Sequence, residues 1–297
     1  MSIKKLCAIW FMQIRGPFLI LSVALVLLGV ATAYWHGFVH IWHSLLLTAG
    51  VTFAHVAVNL FNEIADFRSK IDEHTIRTPF SGGSGMLQSG RTTIAAVTWM
   101  ANLALLAAGS IGFYFCLVSG WPIIFFMIGG ALAIRFYTTH LAKWLIGELV
   151  SGLTLGSFVV IGSHYALTSF MTLDIIYISL VPGILTALLL FLNEFPDLEA
   201  DRQGGRRHLV IFFGTRKSAV IYAAAIFLLF VLIAAGPFIQ NVPYTVLIAL
   251  ASLPLGILAA IQVFQHHDEP ARLVYAQGLN VALVILTDLL LAVAYFI

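Results

Sequence analysis

The sequence predicts an all-α integral membrane protein with about nine transmembrane helices. Of its 297 residues, 61% are hydrophobic and only 9% are charged, whereas soluble domains are roughly 45–50% apolar and about 25% charged. A helix that crosses a bilayer needs about 20 mostly apolar residues, and segments of that kind fill most of the chain. The basic residues are also confined to alternate loops, a pattern typical of a polytopic membrane protein.

The predicted helices follow from the apolar runs and from prolines near their ends. They lie near residues 17–35, 41–64, 93–118, 121–137, 146–165, 173–193, 217–235, 243–264 and 273–296. The fourth is the shortest, and Pro182 inside the sixth is expected to kink that helix. The first run lacks a small-residue cleavage pattern, which favours a retained helix over a removed signal peptide. No domain boundary is visible, so residues 1–297 are expected to form a single polytopic membrane domain.

The charges of the loops predict the orientation of the chain. Nine spans put the loops after the second, fourth, sixth and eighth helices on the side of the N-terminus. All fifteen Lys and Arg residues lie on that side, so the positive-inside rule makes the N-terminus cytoplasmic. We therefore expect a multi-pass protein of the cell (inner) membrane that contacts membrane lipid, with no nucleic-acid partner.

A weak internal repeat marks two of the cytoplasmic helix ends. Asn62-Glu63-x-x-Asp66 ends the second predicted helix, and Asn193-Glu194-x-x-Asp197 ends the sixth. Four helices separate the two motifs and restore the same membrane side, so the two halves could be related by an axis along the membrane normal.

Each repeat is followed by another aspartate, which gives two clusters of oxygen ligands. Positions 193, 197 and 201 share one face if the helix continues, whereas the chain should turn between Asp66 and Asp72. Magnesium usually takes one or two carboxylates and completes its shell with waters and substrate phosphates. The predicted metal ligands are Asn62, Asp66, Asp72, Asn193, Asp197 and Asp201.

Basic side chains accompany both clusters, and arginine or lysine beside a metal site suits a phosphate ligand. These residues are Arg68, Lys70, Arg77, Arg202, Arg206 and Arg207. The glycine-rich segment 81–85 could offer backbone N–H groups to a phosphate, although such a run is equally typical of a plain flexible loop. Solvated loop charges are the alternative for the whole set. The repetition of the motif favours two magnesium ions that hold a diphosphate.

Three stretches resemble the UbiA superfamily of membrane aromatic prenyltransferases. They are residues 62–66 with Asp72, residues 135–139 with Lys143, and residues 193–202, and the order of elements matches from Arg15 to the C-terminus. The resemblance implies nine helices around a central cavity open to lipid. The spacing to Asp72 and the Asp-x-Glu-x-Asp-Arg form are most similar to the 1,4-dihydroxy-2-naphthoate prenyltransferases of menaquinone synthesis. Glu63 departs from the family, which often has aspartate at that position.

The resemblance implies magnesium-dependent transfer of a polyprenyl group from its diphosphate to an aromatic acceptor through an allylic carbocation. Magnesium and basic side chains would neutralise the leaving diphosphate, and the apolar cavity would keep water from the cation. The catalytic residues it implies are Asp66, Asp72, Asp197, Asp201, Tyr137 and Lys143. The diphosphate-binding residues it implies are Arg15, Asn62, Arg68, Lys70, Arg77, Asn193 and Arg202. Arg15 could instead snorkel to the interface, and Lys143 could be a topology charge.

Other functions are left open at this point. The acceptor could be a 4-hydroxybenzoate-like ring or a lipid or tetrapyrrole molecule. A secondary transporter also fits repeats and intramembrane polar residues, but transporter sites usually lie near the bilayer midplane, whereas these acids lie at cytoplasmic helix ends.

Two polar features lie deeper in the predicted helices. A stripe at helical spacing leads towards the first aspartate cluster and consists of His55, Asn59, Asn62 and Asp66. His55 either binds the acceptor or hydrogen-bonds a neighbouring helix. Asp288 should share an inward face with Gln277, where it either orients an acceptor hydroxyl or makes an interhelical hydrogen bond.

Overall fold

The computed structural model describes residues 2–69, 77–136, 144–239 and 241–297. In chain order the helices are α1 (Ile3–Gln13), α2 (Ile20–Trp35), α3 (Ile41–Ser69), α4 (Ile94–Ser119), α5 (Ile123–Phe136), α6 (Gly147–Ser151), α7 (Phe158–Thr168), α8 (Leu173–Asn193), α9 (Leu198–Gln203), α10 (Leu209–Phe213), α11 (Thr215–Ala235), α12 (Leu253–His266) and α13 (Pro270–Phe296). A 3-10 turn, Gly16–Leu19, leads into α2, and a π-helical turn, Gly152–Ser157, joins α6 to α7. A longer 3-10 segment, Tyr244–Ser252, leads into α12.

The helix count agrees with the sequence. Within the described ranges, eight helical segments are long and apolar enough to cross a membrane, and α5 is an apolar helix of 14 residues. The prediction of about nine helices, the fourth of them the shortest, is confirmed to that extent. The 29-residue helix α3 runs to Ser69, five positions beyond the predicted end, so it carries the first motif as helix.

Three short helices were not predicted, because each is too short to show as an apolar span. The first, α1, packs through Trp10 and the following Ile14 against the end of α3 that carries the first motif. Its Gln13 is fully buried and accepts a hydrogen bond from the Thr92 hydroxyl at 2.6 Å. The other two, α9 and α10, follow the second motif and hold its loop close to the helix ends.

Glycines bring the π-helical turn against α8. A Cβ on Gly156 would lie 2.6 Å from the Pro182 carbonyl oxygen, and one on Gly152 would lie 2.5 Å from the Gly183 carbonyl oxygen. Small residues of this kind let membrane helices approach closely. The Ser157 hydroxyl donates to the Ser179 carbonyl at 2.9 Å, close to where Pro182 disturbs the helical hydrogen bonds. This contact fixes α6 beside the end of α8.

Candidate active site

The two repeated motifs meet at one arginine. Arg206 pairs with Asp66 at the end of α3, and it donates to Asp201 in α9 at 2.8 Å. The carboxylates come from helices four spans apart, so only the tertiary fold brings them together. A guanidinium that pairs with two carboxylates shows that this cluster accommodates positive charge. The predicted convergence of the two aspartate clusters is thus present in the geometry.

Asp197 lies in the same cluster. Burial raises the pKa of Asp197 to about 8, with a further rise from the nearby Asp201 carboxylate. Arg206 and Arg15 act in the opposite direction on this pKa, which places Arg15 within electrostatic range of the cluster. Arg15 adopts a left-handed backbone conformation (φ 55°) just before α2. Among the described residues, the buried Asp197 Oδ1 atom has no hydrogen-bond partner.

The second motif is not one continuous helix. The helix α8 ends at Asn193, residues 194–197 form turns, and α9 begins at Leu198. The face shared by positions 193, 197 and 201 therefore depends on this turn, in which the Asp201 N–H donates to the Asp197 carbonyl at 2.8 Å.

Gln277 of α13 links the second motif to the loop that follows the first. Its amide nitrogen donates to the Asn193 side-chain oxygen at 2.9 Å, and its amide oxygen accepts from the Thr78 hydroxyl at 3.3 Å. Phe80 from the same loop lies over Gly278 of α13. Residues 78–80 are thereby held against α13 beside Asn193.

The glycine-rich loop binds a carboxylate of the protein itself. The Ser84 N–H donates to both Glu63 oxygens, at 3.0 and 3.2 Å, and the Ser84 hydroxyl also bonds Glu63. Gly82, Gly83 and Gly85 all have positive φ, a conformation that glycine adopts most readily. The Arg77 side chain lies across Gly85, where a Cβ would collide with it. The Ser84 N–H group, which the sequence offered to a phosphate, is thus taken by Glu63.

Glu194, the equivalent residue of the second motif, is placed differently. Its Oε2 atom lies 3.5 Å from His208 Nδ1, and Glu148 of α6 lies beside it. Burial raises the pKa of Glu194 well above its usual value, and the neighbouring Glu148 raises it further. Leu209, at the start of α10, donates its N–H to Glu148 at 2.8 Å. Glu194, Glu148 and His208 thus form a buried cluster next to the aspartates.

An apolar cavity of about 490 Å³ opens beside the first motif. It is lined by α3, α4, α5, the π-helical turn and α7, and it reaches from Asn62 to Leu47, about 22 Å along α3 at 1.5 Å per residue. His55, Asn59 and Asn62 line one side of it, so most of the predicted polar stripe faces the cavity. The charged residues of the motifs therefore lie at one end of an apolar cavity.

The predictions for His55 and for Asp288 have different outcomes. The Ser22 hydroxyl of α2 and His55 Nδ1 lie 2.8 Å apart in a hydrogen bond, which confirms the interhelical role of His55. Gln277, Asn280 and Asp288 are all buried, as expected of an inward-facing stripe. Neither carboxyl oxygen of Asp288 has a hydrogen-bond partner among the described residues, so the interhelical hydrogen bond expected of Asp288 is not present.

Four predicted site residues fall outside the described residues: Lys70, Asp72, Tyr137 and Lys143. Arg68 is exposed in the last turn of α3. Arg202 is also exposed and lies 3.4 Å from Glu199 on the same helix face, so it does not reach the aspartates. The sequence ranked Arg202 above Arg206 because Arg202 directly follows Asp201, whereas the turn after α9 brings Arg206 back.

Three contributing residues had no role in the sequence analysis of the site. Gln277, Glu148 and His208 come from separate segments and follow no repeated motif. The available signal was polarity within or beside otherwise apolar helices, since intramembrane polar residues usually face the interior.

The residues present fit magnesium. Asp66, Asp197 and Asp201 converge with Asn193 nearby, and the oxygen-rich set matches the preference of a hard cation. The unpartnered Asp197 oxygen and the arginine between the other two carboxylates indicate that the cluster is built around positive charge.

The fold and the site define a multi-pass membrane protein with a cluster of carboxylates and one arginine beside an apolar cavity. Comparison with known proteins gives the family. Residues 11–284 match the profile of the UbiA prenyltransferase family. The chain belongs to this family and is a transferase of prenyl groups.

Two curated relatives act on naphthalene rings. The chain is 25% identical to the 2-carboxy-1,4-naphthoquinone phytyltransferase of Synechocystis sp., over 97% of this chain and 92% of that protein. It is 29% identical to the 1,4-dihydroxy-2-naphthoate octaprenyltransferase of Bacillus subtilis, over 67% of this chain and 64% of that protein.

Two solved structures share the fold. A UbiA homologue from Aeropyrum pernix superimposes with a TM-score of 0.70 at 17% identity, and the match covers 91% of this chain and 95% of that one. A homologue from Archaeoglobus fulgidus, solved with GPP and Mg²⁺, gives a TM-score of 0.64 at 14% identity, covering 96% and 99%.

Proposed function

We propose that this protein transfers a polyprenyl group from its diphosphate to 1,4-dihydroxy-2-naphthoate in a magnesium-dependent reaction. The observation that carries the proposal is the convergence of Asp66 and Asp201 on Arg206 at the mouth of the apolar cavity. A diphosphate with a long apolar tail matches both parts of this site. The two curated relatives named for naphthalene substrates support the choice of acceptor, and the homologue solved with GPP and Mg²⁺ supports the donor and the metal.

Asp66, Asp197 and Asp201, with the amide oxygens of Asn62 and Asn193, would hold magnesium; Asp72 completes the proposed set. When bound, the metal supplies neutralisation of the charge that develops on the leaving diphosphate. Arg206 exchanges its two carboxylate partners for diphosphate oxygens, and Arg15 adds positive charge from the start of α2. Tyr137 and Lys143, with Arg68, Lys70 and Arg77, belong to the same proposal as residues around the donor.

The bond between the diphosphate oxygen and the first prenyl carbon breaks, and the electron pair leaves with the diphosphate. The ring of the acceptor then forms a carbon–carbon bond with the allylic cation, and loss of the ring carboxylate as carbon dioxide restores aromaticity. The apolar cavity wall protects the cation from water. We further propose that residues 1–297 act as one domain in the cell membrane, with the N-terminus in the cytoplasm.

The test is a substrate panel with the purified protein in lipid nanodiscs. Geranylgeranyl diphosphate is offered with 1,4-dihydroxy-2-naphthoate, 4-hydroxybenzoate or a glycerol phosphate, and products are identified by mass spectrometry with magnesium or with EDTA. We expect magnesium-dependent prenylation of the naphthoate and release of carbon dioxide. Faster turnover of either other acceptor would overturn the assignment. The Asp197→Asn variant controls for reaction outside this site.

A further inference from the structure

Three buried side chains from separate segments converge behind the aspartate cluster. Glu148 lies in α6, Glu194 follows α8, and His208 precedes α10. They are 5%, 6% and 3% exposed, and one ligand atom from each lies within 4.8 Å of the other two. Each element reaches the cluster through a different part of the chain, so the convergence is a property of the fold.

The convergent atoms have few hydrogen-bond partners. Among the described residues, no donor reaches Glu148 Oε2 or Glu194 Oε2, although the two carboxyl groups lie at hydrogen-bonding distance from each other and the other Glu148 oxygen accepts from the Leu209 N–H. A buried carboxylate without a donor is costly. Two such carboxylates that lie side by side require a proton or a cation between them.

The surroundings of His208 determine which ring nitrogen carries its proton. The Ile211 N–H donates to Nδ1 at 3.4 Å, which requires a bare lone pair on Nδ1 and leaves the proton on Nε2. Nε2 faces Asp201 Oδ2 at 3.3 Å. A carboxylate beside the far nitrogen of a histidine is the arrangement that orients metal-binding imidazoles.

Nδ1 also faces a second acceptor, and an ion bound to Nδ1 would replace the long hydrogen bond from Ile211. Glu194 Oε2 lies 3.5 Å from Nδ1, and no proton of the imidazole lies between them. Zinc–nitrogen and zinc–oxygen bonds are about 2.1 Å, which puts two ligands of a tetrahedral ion roughly 3.4 Å apart. The observed separation therefore matches two ligands of one ion.

We infer that Glu148, Glu194 and His208 bind a divalent first-row transition-metal ion, at a site separate from the one proposed for magnesium and the diphosphate. The donor set selects the class of ion, because imidazole with carboxylates suits zinc, iron or manganese better than magnesium. The ion would cross-link α6, the end of α8 and the start of α10. It would also fix His208, and through it the orientation of Asp201.

The test is zinc binding to the purified full-length protein at a fixed excess of magnesium, which competes with zinc for the aspartate cluster. We expect one zinc per chain by mass spectrometry of the dialysed protein. Glu148→Gln, Glu194→Gln and His208→Gln should each weaken zinc binding by more than the roughly 10–100-fold that loss of an outer partner costs. Glu63→Gln, at the equivalent position of the first motif, should keep it.

A second measurement identifies the histidine directly and needs no variant to fold. Manganese-loaded wild-type protein should show a directly bonded ¹⁴N in pulsed EPR, because the aspartate cluster offers oxygen ligands only. The signal should disappear in His208→Gln and persist in His43→Gln, whose histidine lies at the opposite end of the molecule. Wild-type protein with no stoichiometric zinc and no ¹⁴N coupling would overturn the inference and leave a proton shared by the two glutamates.

Discussion

The two Asn-Glu-x-x-Asp motifs have the same pattern, but their glutamates have opposite surroundings. Glu63 receives the N–H and hydroxyl of Ser84 and so anchors the glycine-rich loop. Glu194 faces Glu148 and His208 instead, and its Oε2 atom has no donor. The comparison teaches that a repeated motif can fix the position of a side chain while its neighbours decide its chemistry.

The halves that carry the motifs also differ in packing. The helices α3, α4 and α5 surround the cavity, and α4 is mostly exposed outside it. The segment from α8 to α13 forms, with α2, the main hydrophobic core. One half therefore offers space for a substrate tail, and the other supplies the rigid support.

The largest expected effect tests whether the two motifs contribute equally to the reaction. Asp66→Asn and Asp197→Asn should each lower turnover by at least about 100-fold, because metal charge stabilisation is worth several kcal/mol and about 1.4 kcal/mol is tenfold. The measurement is prenyl transfer at saturating magnesium, with thermal unfolding to verify the fold. Full activity in one variant would make that motif structural and break the equivalence.

The next effect concerns the arginine between the motifs. Arg206→Gln should reduce kcat/KM for the prenyl diphosphate by about 10- to 100-fold, since charge-assisted hydrogen bonds contribute about 1.5–3 kcal/mol. Arg202→Gln is the matched control four residues earlier, and its exposed side chain predicts a change of less than about twofold. Equal losses in the two variants would contradict the assignment.

The pH dependence of magnesium affinity tests the role of Asp197 in the second motif. A protonated carboxyl is a poor metal ligand, so the pKa near 8 predicts that apparent magnesium affinity weakens by up to about tenfold per pH unit below pH 8. In metal-free protein, the effect of pH on the stability of the fold has the opposite sign. The raised pKa favours the folded state at low pH, and that contribution is lost as pH rises through 8.

Asp197→Asn should remove both trends, whereas the exposed Glu199→Gln should remove neither. Magnesium titrations of activity follow the first trend, and apparent melting temperatures in EDTA follow the second. A magnesium requirement that is flat from pH 6 to 9 in the wild type would argue against Asp197 as a ligand.

A smaller effect tests the cavity beside the first motif. Gly109 and Gly130 line it, and a Cβ on either would meet no atom within 4 Å, so larger side chains should enter the cavity without disturbing the fold. Gly130→Phe should shift the preference towards shorter prenyl diphosphates by several-fold in kcat/KM, because the long tail loses volume. Leu106→Phe, on the exposed surface, should leave the preference unchanged. An identical shift in both variants would exclude steric control by the cavity.

The smallest effect concerns the bridge between the loops. Gln277→Leu removes hydrogen bonds to Asn193 and Thr78, each worth about 0.5–1.5 kcal/mol. We expect the KM for the prenyl diphosphate to rise a few-fold with little change in kcat. Thr78→Val removes one of these bonds together with the bonds of the Thr78 hydroxyl to Phe80 and Ser81 in its own loop. A rise in KM that occurs in Thr78→Val and not in Gln277→Leu would assign the effect to the loop alone.

The sequence by itself determined the membrane class, the order of the long apolar helices and the two aspartate motifs. Each of these is local: an apolar run of 20 residues, a proline near a helix end or a spacing of four is legible without knowing its neighbours. The amino-acid order also placed both motifs on one membrane side, since helix parity and the positive-inside rule depend only on counting.

Only the tertiary structure decided which polar groups meet. Arg206 replaces Arg202 at the aspartates because a turn after α9 reverses the chain, and Gln277 reaches Asn193 from a helix more than 80 positions away. Glu148 joins Glu194 because glycines let the segment after α6 pack closely against α8, and His208 reaches Glu194 from the start of α10. Burial and charge pairing depend on these non-local contacts, so the chemistry of a side chain in this site is fixed by the packing of helices that are distant in sequence.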